Sequence, residues 1–177
     1  DRGLSRSRNL ALNNASEDIC VIADDDIIYE KDAEKIILEA YTKLKDADVI
    51  IFNYSTNNNS RKCSWIGNQT KRLNFLDLLK VSSVRITFRR KSIVDKNIRF
   101  DVNFGAGAKY SAGEENLFLK SCYDHKLNIY YVPRTICFVN FDSSTWFKGF
   151  DSVYFETKGA FSVAMFGNFY FIYITLK

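Results

Sequence analysis

The stretch Ile19-Cys20-Val21-Ile22-Ala23-Asp24-Asp25-Asp26 constrains this chain most: a short apolar run that reads as a buried strand stops abruptly in three carboxylates. Adjacent acids repel one another, so a fold that gathers them at a strand end needs a cation nearby. Mg²⁺ or Mn²⁺ would answer that need. Mg²⁺ takes one or two protein carboxylates and completes its octahedron with water and phosphate oxygens. Asp24 and Asp26, at the carboxyl edge of an α/β sheet, are then candidate metal ligands. The same residues are open to a plainer reading, an acidic turn capping the helix that starts near Asp32.

The chain has 177 residues, 46% of them hydrophobic and 15% aromatic, enough for one domain with a real core. Its net charge of +4, with 26% charged residues of both signs, gives no sign of a nucleic-acid footprint. A mild basic excess suits polyanionic substrates or an anionic membrane surface. Cys20, Cys63, Cys122 and Cys137 have none of the paired spacings of a zinc site and read as reduced thiols of a cytosolic protein. Asn14, Asn53, Asn58 and Asn68 open sequons, but no signal peptide precedes them. The chain begins at Asp1 rather than Met, and its first residues read as the run-in to a helix, so a missing N-terminal portion is expected.

Residues 4–15 have the pattern of a short helix. After the acidic cluster, Ala33, Ile36, Ile37, Ala40, Tyr41 and Leu44 recur at helical spacing, with Asp32 as the expected N-cap. Val49-Ile50-Ile51-Phe52 reads as another strand, and strand, helix, strand is the arithmetic of a parallel crossover unit. Residues 55–72 are a polar surface excursion. Residues 75–79 have a helix-like pattern, residues 84–88 a strand pattern, and Arg89-Arg90-Lys91 reads as a solvated face. The loop Phe104-Gly105-Ala106-Gly107 precedes a helix opened by Gly113-Glu114-Glu115-Asn116, with Leu117, Phe118 and Cys122 inward. For Glu114 and Glu115 the plain alternative is compensation of the helix dipole. Residues 129–132 and 136–141 read as two strands joined by a turn at Pro133, the only proline. The apolar, aromatic tail 160–176 falls short of the ~20 residues of a spanning helix and reads as an interfacial or core-packing helix.

Gly3-Leu4-Ser5-Arg6-Ser7-Arg8-Asn9, the strand into Asp24-Asp25-Asp26, Phe104-Gly105-Ala106-Gly107, Gly113-Glu114-Glu115-Asn116-Leu117-Phe118 and Ser143-Ser144-Thr145-Trp146 occur in one order over most of the chain. That ordered set resembles the family 2 glycosyltransferases. The resemblance implies a GT-A-like, Rossmann-like α/β fold, a mostly parallel sheet flanked by helices, as one N-terminally truncated domain over residues 1–177. It also implies inverting transfer of a sugar from a nucleotide-diphosphate sugar donor to an acceptor hydroxyl of a glycan or lipid-linked glycan. Under it, Asp26 binds the metal directly, Asp24 contacts the ribose or the metal shell, and Arg8 and Arg6 bind the donor. Gly105, Gly107 and Trp146 are placed at the acceptor, Glu115 is the general base, and Glu114 is its close second. The setting implied is cytoplasmic, with peripheral contact at the inner face of the cell membrane through the C-terminal segment.

The chemistry asks for the same parts. Inversion in one displacement needs a carboxylate opposite the leaving diphosphate, and the leaving group needs a cation. In a helix's first turn the dipole is expected to keep such a carboxylate ionised. Adjacent helix positions point about 100° apart, so only one of the two glutamates faces the acceptor.

The sequence departs from the family pattern in three ways. The nucleotide-binding N-terminal strand and loop have no counterpart, Val139-Asn140-Phe141-Asp142 stands where a His is usual, and Glu-Glu replaces Glu-Asp. Asn140 or Asp142 is the candidate substitute, and His125 reads as structural or solvated. Two rival readings stand beside the transferase: an inactive glycosyltransferase fragment, and a haloacid-dehalogenase-like phosphohydrolase using the first Asp as nucleophile.

Overall fold

A computed structural model describes residues 3–57, 66–140 and 149–169. The described elements are α1 (Leu4–Asn14), β1 (Ile19–Val21), β2 (Ile27–Tyr29), α2 (Ala33–Lys43), β3 (Val49–Thr56), β4 (Lys71–Arg72), α3 (Phe75–Leu78), β5 (Ile86–Arg89), α4 (Arg90–Asp95), α5 (Glu114–Asp124), β6 (Ile129–Val139) and α6 (Ser152–Phe166). Cys63, Asp142, the Ser143-Ser144-Thr145-Trp146 stretch and the tail beyond residue 169 lie outside the described residues.

The fold is α/β, with helices on both faces of one sheet whose strand order is β1-β5-β3-β6-β2. β6 carries β4 along its first residues and β2 along its last. Val49 to Phe52 are buried because the strand alternates between two cores. Val49 and Ile51 pack with Phe118, Leu119 and Cys122 of α5 and with Phe161 and Met165 of α6. Ile50 and Phe52 pack with Ala33, Ile37, Ala40 and Tyr41 of α2.

Several expectations need correction. The sheet is mixed rather than mostly parallel: β3 and β6 pair in parallel, and the other described pairings are antiparallel. β1 and β3 run the same way, as a crossover requires, but β5 is inserted between them and pairs with both. Residues 129–139 form one strand, not two. The β3–β6 register shifts between Ile51 and Tyr54, opposite Pro133, and an irregular stretch is where a residue without an N–H is tolerated inside a sheet. Asp32 occupies the N-cap position of α2 without a side-chain cap bond, and β2 separates the acidic triplet from that helix. The basic triplet is not uniformly solvated: Arg89 lies 4.9 Å over the Tyr41 ring and its Nε donates to the Ala47 carbonyl at 2.9 Å, while Lys91 is exposed. α6 starts at Ser152, ahead of the expected residue 160. Among the described residues, no helix is long and apolar enough to cross a membrane.

Candidate active site

The first turn of α1 is docked onto the loop that leads to α5. Leu4 N–H donates to the Ala106 carbonyl at 2.9 Å, and the Ser5 hydroxyl donates to the Phe104 carbonyl at 2.6 Å. Gly105, at φ 105, makes the approach possible: a Cβ there would lie 3.2 Å from both Glu114 Cδ and Ser5 Oγ. Gly107 faces Gly3 in the same contact, where a Cβ would meet Gly3 Cα at 3.5 Å. One turn on, Asn9 clamps the Phe100 backbone, donating to its carbonyl and accepting from its N–H, each at 2.9 Å.

This docking aims Arg8 at two acids from distant parts of the chain. Its Nη1 donates to Glu114 Oε1 at 3.0 Å and its Nη2 to Asp24 Oδ1 at 2.8 Å. The guanidinium lies 5.6 Å over the Phe100 ring, which itself stacks on Phe118 at 4.3 Å. The Arg8 side chain is 10% exposed and that of Glu114 7%, so the pair is largely out of water. Within it, Arg8 Nε is a buried donor with no partner. Asp24 is held a second time, by the Ser83 hydroxyl donating to Oδ2 at 2.9 Å. The cation that the acidic run calls for is, at Asp24, Arg8.

Glu115, half-buried beside Glu114, has the opposite electrostatic fate. Burial first, then the Glu114 charge, push its carboxyl up to about 8, with Arg8 pulling the other way. The helix dipole, worth about 0.3–1 kcal/mol, is less than about one unit of pKa and is outweighed. Where the dipole is expected to keep this carboxylate ionised, burial and the Glu114 charge push it the other way, toward the protonated form.

Arg8 contacts Asp24 and Glu114 directly, and Gly105 packs beside Glu114. Arg6 is exposed on α1, Asp25 and Asp26 are exposed in the turn before β2, and Trp146 is outside the described residues. Asn140 Oδ1 accepts from Asn57 Nδ2 at 2.9 Å, and His125 sits exposed at the end of α5, its Nδ1 2.8 Å from the Ser121 carbonyl. Ser83 and Phe100 are the site residues that sequence reasoning missed. Nothing in the local pattern separates Ser83 from Ser82.

Both oxygens of Asp24 are engaged by protein donors, and among the described residues no three His, Cys, Asp or Glu side chains converge as a ready-made cage. The donor set fits a hard cation held through a single carboxylate, Asp26, and otherwise by water and phosphate oxygens.

The sequence profile described as glycosyl transferase family 2 matches residues 1–117, a span that contains Arg8, Asp24, Ser83, Phe100, Gly105, Glu114 and Glu115. The chain belongs to the family 2 glycosyltransferases. This glycosyltransferase chain is similar in fold to TarS of S. aureus. Against TarS 1-349 in complex with UDP-GlcNAc it has a TM-score of 0.71 at 16% identity, covering 92% of this chain and 46% of that one. Against TarS 1-349 alone the score is 0.66 at 16% identity, covering 92% and 44%. Against the longer TarS structure it is 0.67 at 16% identity, covering 91% and 27%. At that identity the likeness bears on fold alone, and the glycosyltransferase chain spans less than half the length of these structures. No curated protein matches it. The phosphohydrolase reading is set aside by the family match.

Proposed function

We propose that this chain carries the donor and general-base machinery of an inverting glycosyltransferase that uses a nucleotide-diphosphate sugar. The observation that carries the reading is the Asp24–Arg8–Glu114 bridge, which joins the acidic strand end to the acid pair of α5 in a family 2 chain. A UDP-linked sugar is the favoured donor, supported by the TarS complexes with UDP-GlcNAc and UDP.

In this reading an acceptor hydroxyl of a glycan or lipid-linked glycan attacks the anomeric carbon, Glu115 takes its proton, and the bond to the diphosphate breaks with inversion. Glu114 is held by Arg8, which leaves Glu115 the more available base. A base with its pKa near the working pH combines sufficient ionisation with proton affinity. Arg8 and Asp24 orient the donor, with Arg6 at its margin, and Gly105 and Gly107, which let α1 pack against their loop, set that loop's path on the acceptor side. Asp26 is the residue to hold Mg²⁺ or Mn²⁺, which when bound neutralises charge on the departing diphosphate. Phe150, Val153, Phe155 and Val163, exposed on and beside α6, suit peripheral contact with the inner face of the cell membrane, in a cytoplasmic setting.

Calorimetry with UDP-sugars in the presence of Mn²⁺ tests the donor assignment. Binding that is lost in Asp26→Asn, with the circular dichroism spectrum unchanged, is the expected result. Equal affinity in that variant overturns the metal role, and absence of UDP-sugar binding in the parent chain favours the inactive-fragment reading.

A further inference from the structure

Two contacts outside the Arg8 bridge close it into a ring. Ser83 Oγ donates to Asp24 Oδ2 at 2.9 Å. The short segment that carries Ser83 is held in turn by Asn116 of α5, whose Nδ2 donates to the carbonyls of Leu78 at 2.8 Å and Val81 at 3.0 Å. Asn116 lies in the first turn of α5, next to Glu115. The circuit therefore runs from Asp24 through Arg8 to Glu114, along the first turn of α5 to Asn116, across to the segment 78–83, and back through Ser83 to Asp24.

We propose that Ser83 and Asn116 are positioning residues that couple Asp24 to the acid-bearing start of α5. Arg8 alone fixes one oxygen of Asp24 and leaves the carboxylate free to pivot about it; Ser83 removes that freedom. Asn116 makes Ser83 a rigid support, because its amide donates to two carbonyls where α3 ends: that of Leu78, which also accepts from Val81 N–H, and that of Val81. A change at either end of the ring is felt at the other through three charge-assisted bonds at Asp24 and Glu114 and the two neutral bonds of the Asn116 amide. The consequence for donor binding rests on the transferase reading above, whereas the mechanical coupling does not.

Hydrogen exchange on the unliganded full chain measures the coupling directly. Ser83→Ala should speed exchange roughly tenfold in peptides covering residues 19–29, as expected for losing one hydrogen bond to a carboxylate, and Ser83→Thr should restore it. Asn116→Ala, which removes no contact of Asp24, should speed the same peptides about threefold. The α2 peptides should not change in any variant. Unchanged exchange at residues 19–29, equal acceleration in α2, or a Ser83→Thr variant as fast as Ser83→Ala would each overturn the proposal. In the same variants the Kd for UDP-sugar with Mn²⁺ should rise about tenfold for Ser83→Ala. If the parent chain binds no UDP-sugar, the transferase reading falls while the exchange result still decides the ring. If the parent binds and Ser83→Ala binds equally, the positioning role falls alone.

Discussion

Phe161 occupies the space that a side chain at residue 113 would need: a Cβ built on Gly113 would lie 2.5 Å from its Cδ2. The same glycine has φ 101, which L side chains rarely adopt, and it immediately precedes Glu114. α6 is thus pressed against the first turn of α5, and Thr157 adds a bond there, its Oγ1 accepting from Ser111 N–H at 3.2 Å.

Gly113→Ala is therefore expected to cost about 2–4 kcal/mol, combining backbone strain with overpacking. Denaturant titration should show the loss. Phe161→Ala in the same chain should relieve the overpacking part while leaving the strain, so the double variant should lose less than the two single losses added together.

The raised Glu115 pKa gives a pH dependence with a definite sign. The folded protein holds this proton up to about pH 8, whereas the unfolded chain releases it near 4.5. The folded state thus binds more protons between those values, and the stability contributed by the group is complete below about 4.5 and lost as pH rises through about 8. Glu115→Gln should flatten that part of the stability profile in urea melts taken from pH 4 to 9. A variant profile parallel to the parent's would show that the carboxyl is not held protonated. In an active enzyme, kcat should rise as pH passes through the same upper value, and Glu115→Gln should lower it by roughly 10²- to 10⁴-fold with donor KM little changed. Glu114→Gln should lower kcat less.

Arg8 cannot be exchanged for another cation without loss. Lysine offers a point charge where the planar fork meets Asp24 and Glu114 together, so Arg8→Lys should keep at most one of the two bonds. Arg8→Ala leaves the buried Glu114 carboxylate unpaired, at about 3–5 kcal/mol. Adding Glu114→Gln to Arg8→Ala should recover part of this. If the double variant is no more stable than the single one, the bridge is not what Arg8 supplies to the fold.

At the margin of the described sheet, β1 has β5 as its one strand neighbour, and a groove of about 540 Å³ lies against it, lined by Leu12, Val21, Phe88 and Phe100 among others. An open, partly apolar edge promotes pairing between chains. Sedimentation velocity should show concentration-dependent oligomers, and Val21→Lys should shift them toward monomer. A parent chain that stays monomeric at all concentrations would remove the edge as a contact surface.

What was legible in the sequence follows physical scale. α2 and α5 announce themselves because helical periodicity over three turns is a local signal. β2 does not: Ile27-Ile28-Tyr29 is three residues long, and its strand character comes from pairing with Phe138 and its neighbours, more than a hundred positions away. Pro133 misleads for the same reason, since proline argues for a turn locally and the irregular register with β3 that tolerates it is tertiary. Arg8, Asp24, Gly105 and Glu114 were found through the family resemblance. Their assembly by one guanidinium was not, because side chains separated by 106 residues meet only once the sheet exists.

The β3–β6 pairing has a temporal consequence as the chain leaves the ribosome. Asn128, which accepts the start of β3 into register, is 80 residues beyond its partner Asp48. At a synthesis rate of roughly 5–20 residues per second, Val49-Ile50-Ile51-Phe52 emerges roughly 4–16 s before the strand that covers it. Such long-range pairing is intrinsically slow to form, and during that interval the most apolar strand of the sheet has β5 on one edge and lacks its partner on the other. Yield from cells should therefore depend on how quickly a chaperone reaches β3 more than on the melting temperature of the finished protein.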